Sequence, residues 1–241
     1  KLGGLTHIWF FINDTGNGFY GNTGNFGDIF AGYVARQMGL PIETLVIATN
    51  DNDILARTIE TGIYEMRGVV QTTSPSMDIQ VSSNFERLLF DAGGRDDQSV
   101  RNAMASLKQA RRFELPEKTL SSIRSGFAAG KADVAEAAGT IRHVYDKSGY
   151  MLDPHSAIGV HVARQQPKSA SPMVVLATAH PAKFPAAVEE ASGVHPALPV
   201  WLSDLMQRHE SFTELPSDLK IVEDYVSDHA RAAKETARVM K

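Results

Sequence analysis

The spacing of apolar positions changes character along this chain. Residues 6–12 (THIWFFI) form a short β-branched and aromatic run, the length of a buried strand. A Gly/Asn-rich stretch follows over 15–28, and then Ile29, Phe30, Tyr33, Val34 and Met38 recur at helical spacing. Gly39 and Pro41 stop that helix. Residues 44–48 (TLVIA) are apolar almost throughout, as strands buried on both faces of a parallel sheet are. Residues 52–61 read as a helix with Gly62 past its end, and 69–72 as a third, shorter strand.

From 84 to about 148 the pattern is helical almost throughout, with breaks at Gly93-Gly94, Pro116, Gly126 and Gly130. A strand pattern returns at 173–177 (MVVLA), followed by helical patterns from Pro181 and Pro199. Over 218–239, Leu219, Val222, Val226, Ala230 and Ala233 share one face, which predicts an amphipathic helix packed on the body. Alternating strands and helices predict an α/β fold with a parallel sheet. The central helices, about 84–150, read as an insertion or subdomain on it. No 20–50-residue repeat interrupts the pattern.

Composition narrows the function classes. The chain has 241 residues, 43% of them hydrophobic, and a formal charge of −4. That mild negative charge argues against nucleic acid as a partner. No apolar run approaches the ~20 residues that would span a bilayer, so no membrane partner is expected. The chain has no cysteine, which excludes disulfides, zinc ribbons and cysteine nucleophiles. It begins at Lys1 with no signal-peptide pattern, a start that a processed protein or a partial record would share.

Four motifs are candidates for chemistry. Gly16-x-Gly18-x-x-Gly21 has the dinucleotide spacing, but Asn22-Thr23-Gly24 follows where a helix should open. Thr23-Gly24-Asn25-Phe26-Gly27-Asp28 instead runs straight into the predicted helix. Its glycines let several backbone N–H groups converge on one anion, and the helix dipole adds to them. A plain strand-to-helix turn capped by the Asp28 carboxylate has the same spacing; in the anion reading Asp28 contributes only its backbone N–H. Thr178 stands at the carboxyl end of a predicted strand, where α/β sheets place ligand contacts, though such a hydroxyl also serves as a simple helix cap. His180, before Pro181, reads as a loop histidine. In Leu152-Asp153-Pro154-His155, Asp153 reads as a helix cap with Pro154 in the first turn.

No metal site is expected. His155 and His161 are six residues apart and do not share a helix face. Asp51-Asn52-Asp53 begins like a calcium loop, but Ala56 replaces the needed glycine and Gly62 stands where the bidentate Glu belongs. There is no H-E-x-x-H, G-x-S-x-G or Walker motif.

Five stretches together resemble the threonine synthase family: 23–35 (TGNFGDIFAGYVA), 47–55 (IATNDNDIL), 74–90 (SPSMDIQVSSNFERLLF), 152–159 (LDPHSAIG) and 177–184 (ATAHPAKF). They occur in the family's order, and the resemblance covers roughly Thr23 to the C-terminus. The resemblance implies the large domain of a fold-type II pyridoxal-phosphate enzyme, cytoplasmic, converting O-phospho-L-homoserine and water to L-threonine and phosphate. It further implies that the backbone of Gly24, Asn25, Phe26, Gly27 and Asp28 forms a cup for the cofactor phosphate, and that the Thr178 hydroxyl faces the pyridine nitrogen. Residues 23–241 would then be the C-terminal part of the cofactor-binding domain, with 1–22 an unassigned segment unlike the family.

The family's Schiff-base lysine lies in a Ser/Ala-Phe-Lys-Asp motif upstream of the cup. None of the ten lysines here has that context, so no catalytic lysine is assigned and the 241 residues alone are expected to be inactive. The alternatives are another fold-type II lyase, such as a serine/threonine dehydratase, or a non-catalytic module that binds a phosphorylated metabolite. Oligomeric state is left open.

Overall fold

A computed structural model of the chain describes residues 26–167, 173–177 and 179–231. The strand expected at 6–12 and the Gly16–Gly21 motif lie outside the described residues. Helix α1 spans Gly27–Gln37 and ends at Gly39, whose φ of 100° suits a residue without a Cβ. Strand β1 (Leu45–Thr49) follows, then α2 (Ile54–Thr61), closed by Gly62 at φ 77°. Next come β2 (Ile63–Glu65), α3 (Phe85–Ala92), α4 (Asp97–Ala110), β3 (Arg112–Glu114) and α5 (Glu117–Arg124). Then follow β4 (Phe127–Lys131), α6 (Val134–Ser148), α7 (Pro154–Gln165), α8 (Pro185–Ser192) and α9 (Leu219–His229).

Strands β1 and β4 pair in parallel, Leu45 opposite Phe127 through to Thr49 opposite Lys131. The crossover between them contains α2 to α5, as parallel neighbours require. All five residues of β1 are buried. Their side chains alternate between two cores. Leu45 and Ile47 join Phe26, Ile29, Phe85 and Leu88 on one face, while Val46 and Ala48 join Ile141, Ile158 and Val162 on the other. Burying both faces of a strand explains its uninterrupted apolar sequence. Strands β2 and β3 form a short antiparallel pair in which the rings of Tyr64 and Phe113 stack 4.9 Å apart.

Three expectations from the pattern change. The span 84–148, read as helical almost throughout, also carries β3 and β4. Strand β4 reads Phe-Ala-Ala-Gly-Lys, and alanine and glycine carry little strand signal. Residues 69–72 form no strand: side chains, not a ladder, take up their polar groups, Val70 N–H donating to Asn52 Oδ1 at 2.9 Å and Thr72 N–H to Asp78 Oδ2 at 2.8 Å. Residues 173–177 have no assigned ladder, yet Val174 packs on the first core and Met173 and Val175 on the second. That is the period-two alternation of extended chain.

The contacts divide the chain into two units, one ending at Ala197 and the other beginning at Leu198. Within the second, Tyr225 and His229 stack at 4.0 Å on α9, and Arg208 binds Asp204 at 2.7 Å. Helix α9 ends at His229 and buries none of its residues; the rest of the amphipathic pattern, from 232, lies outside the described residues.

Candidate functional site

The N-terminus of α1 is built on a strained residue. Phe26 has φ 69° and ψ 12°, the left-handed region, which costs a non-glycine residue of order 1–2 kcal/mol. Its ring is fully buried, 5.3 Å from that of Phe85 in edge-on contact and 6.0 Å from that of Phe127. Packing therefore holds the backbone in the turn that brings the following N–H groups to the helix start. The helical ladder opens with Phe30 N–H donating to Phe26 O at 3.1 Å. The N–H groups before it, Gly27 onward, have no intrahelical acceptor. Phe26 offers no side-chain cap. Such an end, with its dipole, suits an anion.

Helix α1 is anchored at its middle. The Tyr33 hydroxyl donates to Asp91 Oδ2 on α3 and accepts from Gln37 Nε2 at 2.7 Å. Burial, then the bond to Asp91, raises the Tyr33 pKa; the same bond, helped by Arg95, lowers that of Asp91.

Of the six expected contact residues, Phe26, Gly27 and Asp28 open α1 together, whereas Gly24, Asn25 and Thr178 lie outside the described residues. The Phe26 side chain belongs to the core, which leaves only its backbone to face a ligand. Val174, four residues before Thr178, packs on the core cluster that buries Phe26 and Ile29.

A polar cluster at the carboxyl end of β1 escaped motif reading. Asn50 Nδ2 donates to Asp78 Oδ1 at 2.7 Å, Thr72 Oγ1 at 2.8 Å and Ser74 Oγ at 3.0 Å. Asn52 Nδ2 donates to Val70 O at 2.8 Å and to Asp78 Oδ1 at 3.0 Å. Asn50, Asn52 and Ser74 are buried, and Thr72 and Asp78 are half-buried. Polar residues directly after an apolar strand were the available signal, but the partners from 72–78 are remote in sequence. Beside the cluster, Asp53 binds Arg57 at 2.7 Å and Lys131, the last residue of β4, at 3.4 Å.

The expected cap at Asp153 is present. Its Oδ1 accepts the N–H groups of His155 at 2.9 Å and Ser156 at 3.4 Å. His180 Nδ1 accepts the Ala182 N–H at 3.2 Å in the loop before α8. Among the described residues no group of three or more His, Asp or Glu side chains is arranged to hold a metal, and no helix is long and apolar enough to cross a membrane.

A family model described as "Threonine synthase, C-terminal" matches residues 156–226. A threonine synthase of Pseudomonas aeruginosa is 48% identical over 214 residues, covering 88% of this chain and 46% of the relative. Among solved structures, a PLP-bound threonine synthase from Brucella melitensis is 63% identical with a TM-score of 0.82, covering 94% of this chain and 47% of that one. The yeast threonine synthase structure is 35% identical with a TM-score of 0.74, over 92% of this chain and 47% of that one. The chain thus spans about half the length of the relatives it matches. It shares with these structures the α/β fold with a parallel sheet that both the pattern and the five motifs predict. The chain therefore belongs to the threonine synthase family and corresponds to its C-terminal part.

Proposed function

We propose that this chain carries the cofactor-phosphate cup of a threonine synthase, a pyridoxal-phosphate lyase acting in the cytoplasm on O-phospho-L-homoserine and water to form L-threonine and phosphate. The observation that supports this most is the start of α1, where the N-cap residue is Phe26, buried and left-handed, with no capping side chain of its own. A phosphate fits such donors without a cationic side chain. When bound, pyridoxal phosphate supplies an electron sink for the substrate's α-carbon. The chain's own residues bind and orient: Gly24 to Asp28 hold the phosphate through their backbone, and the Thr178 hydroxyl meets the ring nitrogen. Residues 23–241 form this cofactor-binding part, with the largely helical span of about 84–150 within it.

No lysine here has the family's Schiff-base context, so the 241 residues bind the cofactor without a covalent link and do not turn over substrate. Lys131, paired with Asp53, and Lys183, 6.0 Å from the centre of the Phe184 ring, are the lysines a trapping experiment must clear. Borohydride reduction of the protein with pyridoxal phosphate, followed by peptide mapping, leaves every lysine unmodified. Titration of cofactor absorbance shows reversible binding, which Gly27→Asp weakens at least about tenfold by setting a carboxylate against the phosphate. A trapped lysine, or threonine formed by these residues alone, overturns the assignment of an incomplete centre. Oxo-acid formation instead of phosphate release identifies a dehydratase, and absence of any cofactor binding identifies a phosphometabolite module.

A further inference from the structure

His155, the second residue of α7, is buried to 2% exposure, and Asp153 before it to 1%. His155 Nδ1 lies 2.9 Å from Asp153 Oδ1, and Ser156 Oγ–H donates to Asp153 Oδ2. On the other side of the ring, the Ser76 N–H donates to Nε2 at 3.4 Å, across 79 residues of sequence. A backbone N–H only donates, so Nε2 is the acceptor, and Nδ1–H donates to the carboxylate of Asp153. These two bonds select the Nδ1–H tautomer. Phe184 packs against it with centroids 4.6 Å apart.

The cap of α7 does not need this imidazole, because Asp153 already accepts both N–H groups of the first turn. What the ring adds is a junction between three segments. These are the start of α7, the short 3₁₀ turn Pro75–Met77, and Phe184, six residues after Thr178. The turn leads directly into Asp78, whose carboxylate gathers Asn50, Asn52 and Thr72 at the carboxyl end of β1. That end of a strand is where open α/β sheets take their ligands.

We infer that His155 is a positioning residue: through Nε2 it holds the turn Pro75–Met77, and with it the Asn50–Thr72–Ser74–Asp78 wall, in the register in which the substrate binds. This rests on the threonine synthase reading for the identity of the substrate, while the tether itself does not. Two substitutions separate the ring's two bonds. His155→Asn keeps a donor near Nδ1 for Asp153 and loses the acceptor for Ser76, whereas His155→Gln carries its amide oxygen out to the position of Nε2.

The test measures three quantities on the protein loaded with pyridoxal phosphate. Nitrogen NMR of the unmodified protein shows the Nδ1–H tautomer at His155. Hydrogen exchange at the Ser76 amide speeds about tenfold in His155→Asn and returns toward the unmodified rate in His155→Gln, as loss of one partly buried hydrogen bond implies. Calorimetric binding of O-phospho-L-homoserine weakens about tenfold in His155→Asn and is restored in His155→Gln, at equal cofactor occupancy. An Nε2–H tautomer, or equal effects of the two substitutions on exchange, overturns the inference. Substrate binding that neither substitution changes also overturns it. If the unmodified protein binds no O-phospho-L-homoserine while the tautomer and exchange results hold, the threonine synthase reading fails and the tether stands.

Discussion

The hydroxyl of Tyr64 lies between strand β2 and the loop before α3, accepting the Ser82 N–H at 2.8 Å while its ring stacks on Phe85 and Phe113. Burial pushes its pKa from the ordinary value near 10 up to about 12. In the unfolded chain the phenol ionises near 10, so between pH 10 and 12 the native state holds more protons than the unfolded one. Stability is therefore fully present below pH 10 and falls as pH rises toward 12, by about 2–3 kcal/mol for a shift of this size. Urea unfolding of the protein and of Tyr64→Phe, compared from pH 8.5 to 11.5, checks this: the slope above pH 10 shrinks in the variant, and equal slopes refute the assignment. At this scale the cap at Asp153 was legible, because a cap is a local pattern. The burial of His155 and its bond to Ser76 were not, because the two residues meet only when α7 and the turn Pro75–Met77 are folded together.

Among the elements, β4 shows how packing overrides propensity. Its Phe-Ala-Ala-Gly-Lys sequence is weak strand material, yet it pairs along its whole length with β1. Gly130 explains part of the choice. A Cβ added there would come within 2.7 Å of Val162 Cγ1, on a helix whose Val162 is fully buried, so the absent side chain lets α7 lie close to the sheet. Gly130→Ala is expected to destabilise the protein by about 1–3 kcal/mol, the usual range for overpacking. Combining it with Val162→Ala recovers part of that loss, since the second change vacates the space. Thermal unfolding of the two single variants and the double variant measures the coupling; strict additivity would mean that the close approach is not the cause. Strand β1, by contrast, announced itself, because five consecutive buried positions require an apolar run.

Across the whole molecule, the parallel pair β1–β4 separates two hydrophobic cores. Leu88 belongs to one and Ile158 to the other, each about 1% exposed. Leu88→Ala and Ile158→Ala are each expected to cost about 2–5 kcal/mol, and, because they share no cavity, their effects add to within about 0.5 kcal/mol. Denaturant unfolding of the single and double variants tests whether the sheet isolates its two faces. A larger deviation would show strain passing through β1.

By itself, the sequence determined the elements whose signals are local. Strand β1, helices α1 and α2 with their glycine stops, the cap of α7 and the order of the family motifs all follow from hydrophobic spacing, turn chemistry and contiguous residue identity. Only the tertiary structure decided which of the weaker segments became strand, and which remote polar groups met at the carboxyl end of β1. Asn50 with Asp78, and His155 with Ser76, are contacts between residues 28 and 79 positions apart. Their free energy comes from burial that exists only once the two cores have closed on the sheet.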